Sequence, residues 1–206
     1  MRVSDEPWQR LPQECYAGAV LEVARRLLGQ VVAHRTVEGL AAGAIVEVEA
    51  YGGADDPASH AYTGQTARNG VMFGPPGRAY VYFTYGMHCC LNVVAGAEGS
   101  ASAVLLRALE PLAGIELMRA RRGAHISDRD LCRGPGRLCQ ALGVSLAQNG
   151  ADLRSSDLWI AEAPERPEQE SGMGIATSPR IGIARAVDRP WRLYLSGSPY
   201  VSGRPR

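Results

Sequence analysis

The stretch AYVYFTYGMHCCLNVV, residues 79–94, constrains the fold more than any other part of the chain. Two runs rich in aromatic and β-branched residues flank a Tyr85-Gly86 turn, the pattern of a β-hairpin. Hairpins commit neighbouring strands to antiparallel pairing, whereas a parallel pair needs a crossover of a dozen or more residues. Ala42 to Tyr51 reads as another strand, with Val46, Val48 and Ala50 on one face and Ile45, Glu47, Glu49 and Tyr51 on the other. Val31 to Ala33 begins a strand and Ala103 to Arg107 is another; Ile181 to Val187 and Arg192 to Ser196 read as closing strands. Ala17 to Leu28 has a helical apolar period that stops at Gly29. Pro111 opens a helix running to Gly123, and Gly134-Pro135 opens a short one ending near Gly143. Gly52 to Gly77 is a long polar loop, and Ala163 to Ser178 is Pro/Glu/Gly-rich and reads as a flexible loop. The expectation is an α+β fold with hairpins rather than βαβ units. A chain of 206 residues suits one domain spanning 1–206 around one core.

Composition excludes several function classes. No run of about 18 apolar residues marks a membrane span. The N-terminus MRVSDEPWQRLPQECY lacks the apolar core of a signal peptide, so a cytoplasmic location is expected. The five cysteines include the adjacent pair Cys89-Cys90 and no C-x-x-C pair, so buried free thiols are expected rather than a metal site. All 22 basic residues are arginine. A lysine Schiff base is therefore excluded, leaving only the N-terminal amine for such chemistry. Net charge is +1, yet six arginines (119, 121, 122, 129, 133, 137) fall between residues 119 and 137. That block either faces phosphates or is a solvated helix face, and charge alone favours the second. Glycine-rich phosphate loops, nucleophile elbows and H-E-x-x-H are all missing from the sequence.

Chemistry concentrates in EVEAYGGADDPASH, residues 47–60. It reads either as the polar face of an ordinary strand or as the floor of a site. A carboxylate among aromatics, such as Glu49, can deprotonate a water that a guanidinium such as Arg107 orients, although periodicity alone does not bring the two together. Tyr80 and Tyr82 share a strand face, and core packing suits Tyr80. Tyr85, at an expected hairpin tip, suits a wedge in a base stack.

The motifs E-A-Y (49–51), R-N-x-x-M-F (68–73), Y-V-Y-x-x-Y-G-M (80–87), L-L-R-A-L-E-P (105–111), G-P-x-x-L-C-Q-A-L (134–142) and G-S-P-x-V-S (197–202) follow one another in order. Together they resemble the alkyladenine (3-methyladenine) DNA glycosylase family over nearly the whole chain. The resemblance implies a curved, mixed but mostly antiparallel sheet with surrounding helices and a protruding hairpin. It implies a monofunctional DNA glycosylase for alkylated purines (3-methyladenine, 7-methylguanine), with hypoxanthine or ethenoadenine as further substrates, that starts base excision repair. By position, Glu49 matches the general base and Arg107 the arginine that helps hold the attacking water. Tyr51 and His60 match one wall of the base pocket, Tyr82 the stacking residue opposite, and Asn92 the asparagine that disfavours guanine. Tyr85 matches the intercalating residue, while Met87, Arg68, Arg137 and Ser198 match positions near the DNA backbone.

The implied partner is double-stranded DNA carrying a damaged purine, with no metal, cofactor or membrane, and with a monomeric, nucleoid-associated bacterial protein. Glu47, Asp55 and Asp56 are assigned no chemistry. Two rival readings remain open: a non-catalytic protein that binds damaged nucleic acid, and a hydrolase of free nucleosides with no use for a Tyr85 wedge.

Overall fold

The computed structural model describes residues 8–84, 88–163 and 174–203. Among these, the strands are β1 (Val31–Thr36), β2 (Gly39–Gly52), β3 (Ala79–Thr84), β4 (His88–Ala95), β5 (Ser102–Ala113), β6 (Leu158–Ala161), β7 (Ile175–Ser178) and β8 (Arg192–Leu195). The helices are α1 (Val20–Leu27), α2 (Ile115–Arg122), α3 (Asp128–Leu131) and α4 (Pro135–Leu142). The main sheet runs β3-β4-β5-β2-β1-β6, and every pairing between named strands is antiparallel. Strand β2 causes the curl. One side of it pairs with β5, while the other pairs with β1 in its first half and with β8 at Glu47–Glu49. The fold is thus α+β in a single domain, as expected; β3 and β4 pair antiparallel, and the Tyr85-Gly86 turn expected between them lies outside the described residues.

One face of the sheet carries the main core. Leu27 of α1, Met118 of α2, Leu131 of α3, and Leu138 and Leu142 of α4 pack there against Ile45, Val48, Leu106 and Leu109. Each fully buried aliphatic side chain of this kind contributes about 1.5–3 kcal/mol. Helix α4 follows its sequence signals closely. Pro135 occupies its first turn, and Gly143 (φ 72°) closes it, its N–H reaching the carbonyls of Cys139 and Gln140. Of the free cysteines, Cys90, Cys132 and Cys139 are buried, and burial pushes the Cys132 thiol up to about 12.

Strict alternation fails at one consequential place. Ile45 pairs with Leu109, Glu47 with Ala108 and Val48 with Leu106, so Val46 and Arg107 are each the extra residue of a bulge. The bulge turns Ile45 to the core beside Val48 and Ala50, rather than to the face of Glu47, Glu49 and Tyr51. In β5 the same shift lets Leu106 and Leu109 both enter the core, separating them from Arg107.

Other expectations are corrected. Pro111 does not open a helix; it pairs with Gly43 beside a register break, where a strand tolerates proline, and α2 begins only after Gly114 (φ 70°). Helix α1 starts at Val20 because Gly18 (φ 98°) turns the chain before it. Gly29 does not cap the helix but turns the chain into the sheet, donating to Ile45 O at 2.8 Å. Ile175–Ser178 is a strand on β8 rather than the end of a loop; residues 164–173 of that expected flexible loop lie outside the described residues. Ile181 to Val187 is not a strand, because Gly182 (φ 76°) and Ala186 (φ 49°) interrupt extended backbone.

Candidate active site

The face of the sheet opposite the main core holds the site. Glu49 and Tyr51 stand two residues apart on β2, and Arg107 reaches the same floor from the bulge of β5. Glu49 is fully buried. Its Oε1 accepts the Ile181 N–H at 2.7 Å and faces Arg107 Nη1 at 3.3 Å, while its Oε2 accepts the Tyr51 hydroxyl at 2.8 Å. Burial works against the charge on Arg107, but Glu49 and Glu47 outweigh it and hold the guanidinium above its ordinary value. Burial, with Glu49 close by, pushes the Tyr51 phenol well up, so it is a hydrogen-bond donor across the ordinary pH range.

A cavity of about 620 Å³ opens beside this floor. Strand β3 contributes Tyr80 and Tyr82, and β4 contributes Cys90 and Asn92; Ala103 and Leu105 of β5 form its apolar base. His60, from the long Gly/Pro-rich loop, stands edge-on to Tyr82 with ring centroids 4.6 Å apart, and its Nδ1 lies 3.0 Å from the Tyr80 hydroxyl. Burial, then the charge of Arg68, lowers the His60 pKa, favouring a neutral imidazole. Burial drives Tyr82 upward and Tyr80 to about 12. The Asn92 side-chain N–H donates to Tyr80 O at 3.0 Å, which fixes the amide next to the aromatic wall.

The sequence-predicted residues divide clearly. Tyr51, His60, Tyr82, Asn92 and Arg107 all line the cavity, with Glu49 directly behind Tyr51 and Arg107. Arg68 is exposed at the rim, its guanidinium 5.2 Å from the Tyr82 ring centre and bonded to Phe83 O at 3.2 Å. Arg137 and Ser198 are not among the lining residues. Arg137 is exposed on α4 next to Pro135 and Gly136, which do line the cavity. The Ser198 hydroxyl accepts the Tyr200 N–H at 3.3 Å in the turn after β8. Tyr85 and Met87 lie outside the described residues, between Thr84 and His88, which both line the cavity.

Four supporting residues escaped the sequence reading. Glu47 is fully buried and accepts from Arg107 Nε (3.1 Å), Arg192 Nε (2.6 Å) and the Ser202 N–H (2.5 Å). Asp56 is fully buried, paired with Arg180 at 2.5 and 2.8 Å and capped by the N–H groups of Gly52 and Ala58. Burial opposes the Asp56 charge, but Arg180 and those N–H groups hold the carboxyl below its ordinary value. Arg180 also bonds Ala50 O and stacks on Tyr51, 4.6 Å from its ring centre. It thereby anchors the Ile181–Arg185 segment, which lines the cavity and supplies the N–H to Glu49. Strand alternation places Glu47 on the face of Glu49 and Tyr51, but nothing local marks it for a role. No local signal pointed to Arg180 or Arg192.

Among the described residues no group of three His, Cys, Asp or Glu side chains is placed to hold a metal ion. Nor is any helix among them long and apolar enough to cross a membrane.

A buried carboxylate–guanidinium pair beneath a cavity walled by tyrosine and histidine defines a site for a flat, unsaturated ring. Comparison with known proteins makes this specific. A family model described as methylpurine-DNA glycosylase (MPG) matches residues 14–199. A protein of Rhodopseudomonas palustris is 54% identical over 93% of this chain and 90% of its own length. One of Burkholderia lata is 49% identical over 96% and 93%, and one of Methanoculleus marisnigri 50% identical over 94% and 99%. All three carry the name "Putative 3-methyladenine DNA glycosylase". The chain belongs to the methylpurine-DNA glycosylase family and is a DNA glycosylase, a hydrolase.

Proposed function

We propose that this protein removes alkylated purines, 3-methyladenine and 7-methylguanine, from double-stranded DNA, and accepts hypoxanthine or ethenoadenine as well. It leaves an abasic site without cutting the strand, acts as a monomer without a cofactor, and starts base excision repair at the nucleoid. The Glu49–Arg107 pair beneath the aromatic cavity carries this reading. A base inside a duplex is out of reach of a side chain, so it must be flipped out at a cost of a few kcal/mol. Tyr85 is the side chain proposed to fill the gap, and Arg68, Met87, Arg137 and Ser198 to steady the flanking backbone.

In the cavity the base stacks against the Tyr82–His60 pair, whose rings already touch edge-on at 4.6 Å, with Tyr51 lining the same cavity. An alkylated purine that carries positive charge is drawn to these electron-rich rings and leaves the sugar more readily. Asn92, whose amide is held by Tyr80 O, is the residue proposed to crowd the exocyclic amine of guanine. Bond breaking builds positive charge on the sugar, and the Glu49 carboxylate stabilises it electrostatically. A carboxylate has about four acceptor positions. The structure fills two on Glu49, with the Ile181 N–H and the Tyr51 hydroxyl, and sets Arg107 Nη1 3.3 Å from Oε1 as an ion pair. A remaining position suits the attacking water, which Arg107 orients and Glu49 deprotonates as it adds to the anomeric carbon. With no lysine in the chain, a lysine-based lyase step has no nucleophile.

The test is incubation of the protein with methylated duplex DNA and measurement of free methylpurine. Glu49→Gln is expected to bind damaged duplex yet release base on the order of 100- to 10,000-fold more slowly. Near-normal excision by that variant overturns the assignment of Glu49. Prompt strand cleavage by the parent protein overturns the monofunctional reading, which expects breakage only after alkali. Parallel duplexes carrying hypoxanthine or ethenoadenine decide whether those bases are substrates.

A further inference from the structure

The proposed chemistry requires Arg107 to keep one orientation, and β5 alone does not supply it. Arg107 is the extra residue of a bulge, where the ladder is interrupted. Its guanidinium spans two carboxylates, with Nε on Glu47 at 3.1 Å and Nη1 on Glu49 at 3.3 Å. Glu47 is itself fixed on two further sides. Arg192 Nε meets the same Oε1 at 2.6 Å, and the Ser202 N–H meets Oε2 at 2.5 Å. Arg192 then continues outward, donating to Ser178 Oγ at 2.9 Å and Ser202 O at 2.8 Å. The result is an alternating row, Glu49–Arg107–Glu47–Arg192, whose side chains are between 0% and 9% exposed.

Buried ion pairs of this sort are weak contributors to stability compared with apolar packing, and their better-supported use is to specify one arrangement. Glu49 and Glu47 are both fully buried, but all three partners of Glu49 line the cavity, whereas of the partners of Glu47 only Arg107 does, so Glu47 stands one step further from a bound base. We infer that Glu47 is the positioning residue for Arg107: it clamps the Nε edge of the guanidinium so that the Nη1 edge faces Glu49 and the attacking water. Through Arg192 and Ser202 it also ties that orientation to β8 and the segment after it. This inference rests on the proposed roles of Glu49 and Arg107.

Single-turnover excision from methylated duplex, at saturating protein, tests it. Glu47→Gln keeps the side-chain shape, loses the charge and presents an N–H₂ where an acceptor is needed. A misplaced catalytic group costs on the order of 100-fold in rate, so that loss is expected, with affinity for the damaged duplex little changed. In an Arg107→Gln background the same substitution should change the rate by no more than about twofold, because the two side chains act as a unit. A second full loss on top of Arg107→Gln, or a parental rate for folded Glu47→Gln, overturns the inference. The paired variant Glu47→Gln/Arg192→Met removes one buried charge of each sign. It guards against a folding failure and should show the same loss per folded molecule. The parent protein gives a readout free of mutation: exchange of the Arg107 Nε proton with solvent should be much slower than that of exposed Arg68. Equal rates also overturn the clamp. Glu49→Gln separates the two levels. If it still excises, the reading of the site has failed; if it is dead while Glu47→Gln is fast, only the clamp has failed.

Discussion

Two groups of arginines in this molecule look alike in chemistry and differ in every other respect. Arg107, Arg180 and Arg192 are scattered in the sequence and buried in the structure, and each meets a buried carboxylate: Glu47 and Glu49, Asp56, and Glu47. The dense block from 119 to 137 is the reverse. Arg119 pairs at the surface with Glu116 and Asp128, and Arg121 with Glu38. Arg122 donates to Leu131 O, Arg129 to Pro199 O and Arg133 to Val201 O, joining helices and the C-terminal segment. Charge density along a chain is therefore a poor guide to where its electrostatics are strongest. Location in low dielectric decides that, and long-range topology decides location.

The largest expected difference between the groups is in stability. Arg180→Met leaves Asp56 buried without its guanidinium, and breaking a buried pair from one side costs about 3–5 kcal/mol. Urea unfolding should show that loss, and Asp56→Asn/Arg180→Met should recover part of it, because neither charge then remains alone. A loss for Arg180→Met no greater than that of a surface arginine would erase the distinction between the groups.

The pH dependence sharpens the same comparison. In the folded protein the Asp56 carboxyl is held below its ordinary value of 3.8. The folded state thus prefers the charged form, so the unfolded chain binds the proton first as pH falls. The stabilisation from Asp56 is complete above pH 3.8 and is lost as pH drops through the folded value. Unfolding free energies of parent and Asp56→Asn, measured over that window, should converge as the solution is acidified. A constant gap would mean that Asp56 gains its stability from something other than its charge.

These pairs also mark what the sequence could and could not reveal. The paired strands β3 and β4, the helix α4 with its Pro and Gly boundaries, and the strand bearing Glu49 and Tyr51 were legible, because each depends on local spacing and turn chemistry. The pocket residues were legible through family motifs rather than through periodicity. The bulge at Val46 and Arg107 was not legible, since alternation in each strand looks regular until the two are paired. Nor was the role of Glu47 or Asp56: both read as ordinary polar residues, and their partners lie 60 and 124 positions away. Pro111 misled for a related reason, because a proline near a helix start and a proline beside a strand bulge have the same local signature.

The smallest expected effect completes the contrast. Arg119→Ala removes contacts to Glu116 and Asp128, whose side chains are 84% and 48% exposed. Exposed pairs are worth about 0.2–1 kcal/mol, because water screens them and two long side chains must be ordered to form them. What remains should shrink further as ionic strength rises from about 0.01 M to 0.1 M, where the Debye length contracts from roughly 30 to 10 Å. The Arg180–Asp56 pair, with both side chains at 0% exposure, should show almost no such dependence. Unfolding free energies of the parent, Arg119→Ala and Arg180→Met at the two salt concentrations check this directly. A large, salt-insensitive loss on Arg119→Ala would mean that the arginine block carries buried electrostatics after all, and that its density in the sequence is a signal about the fold.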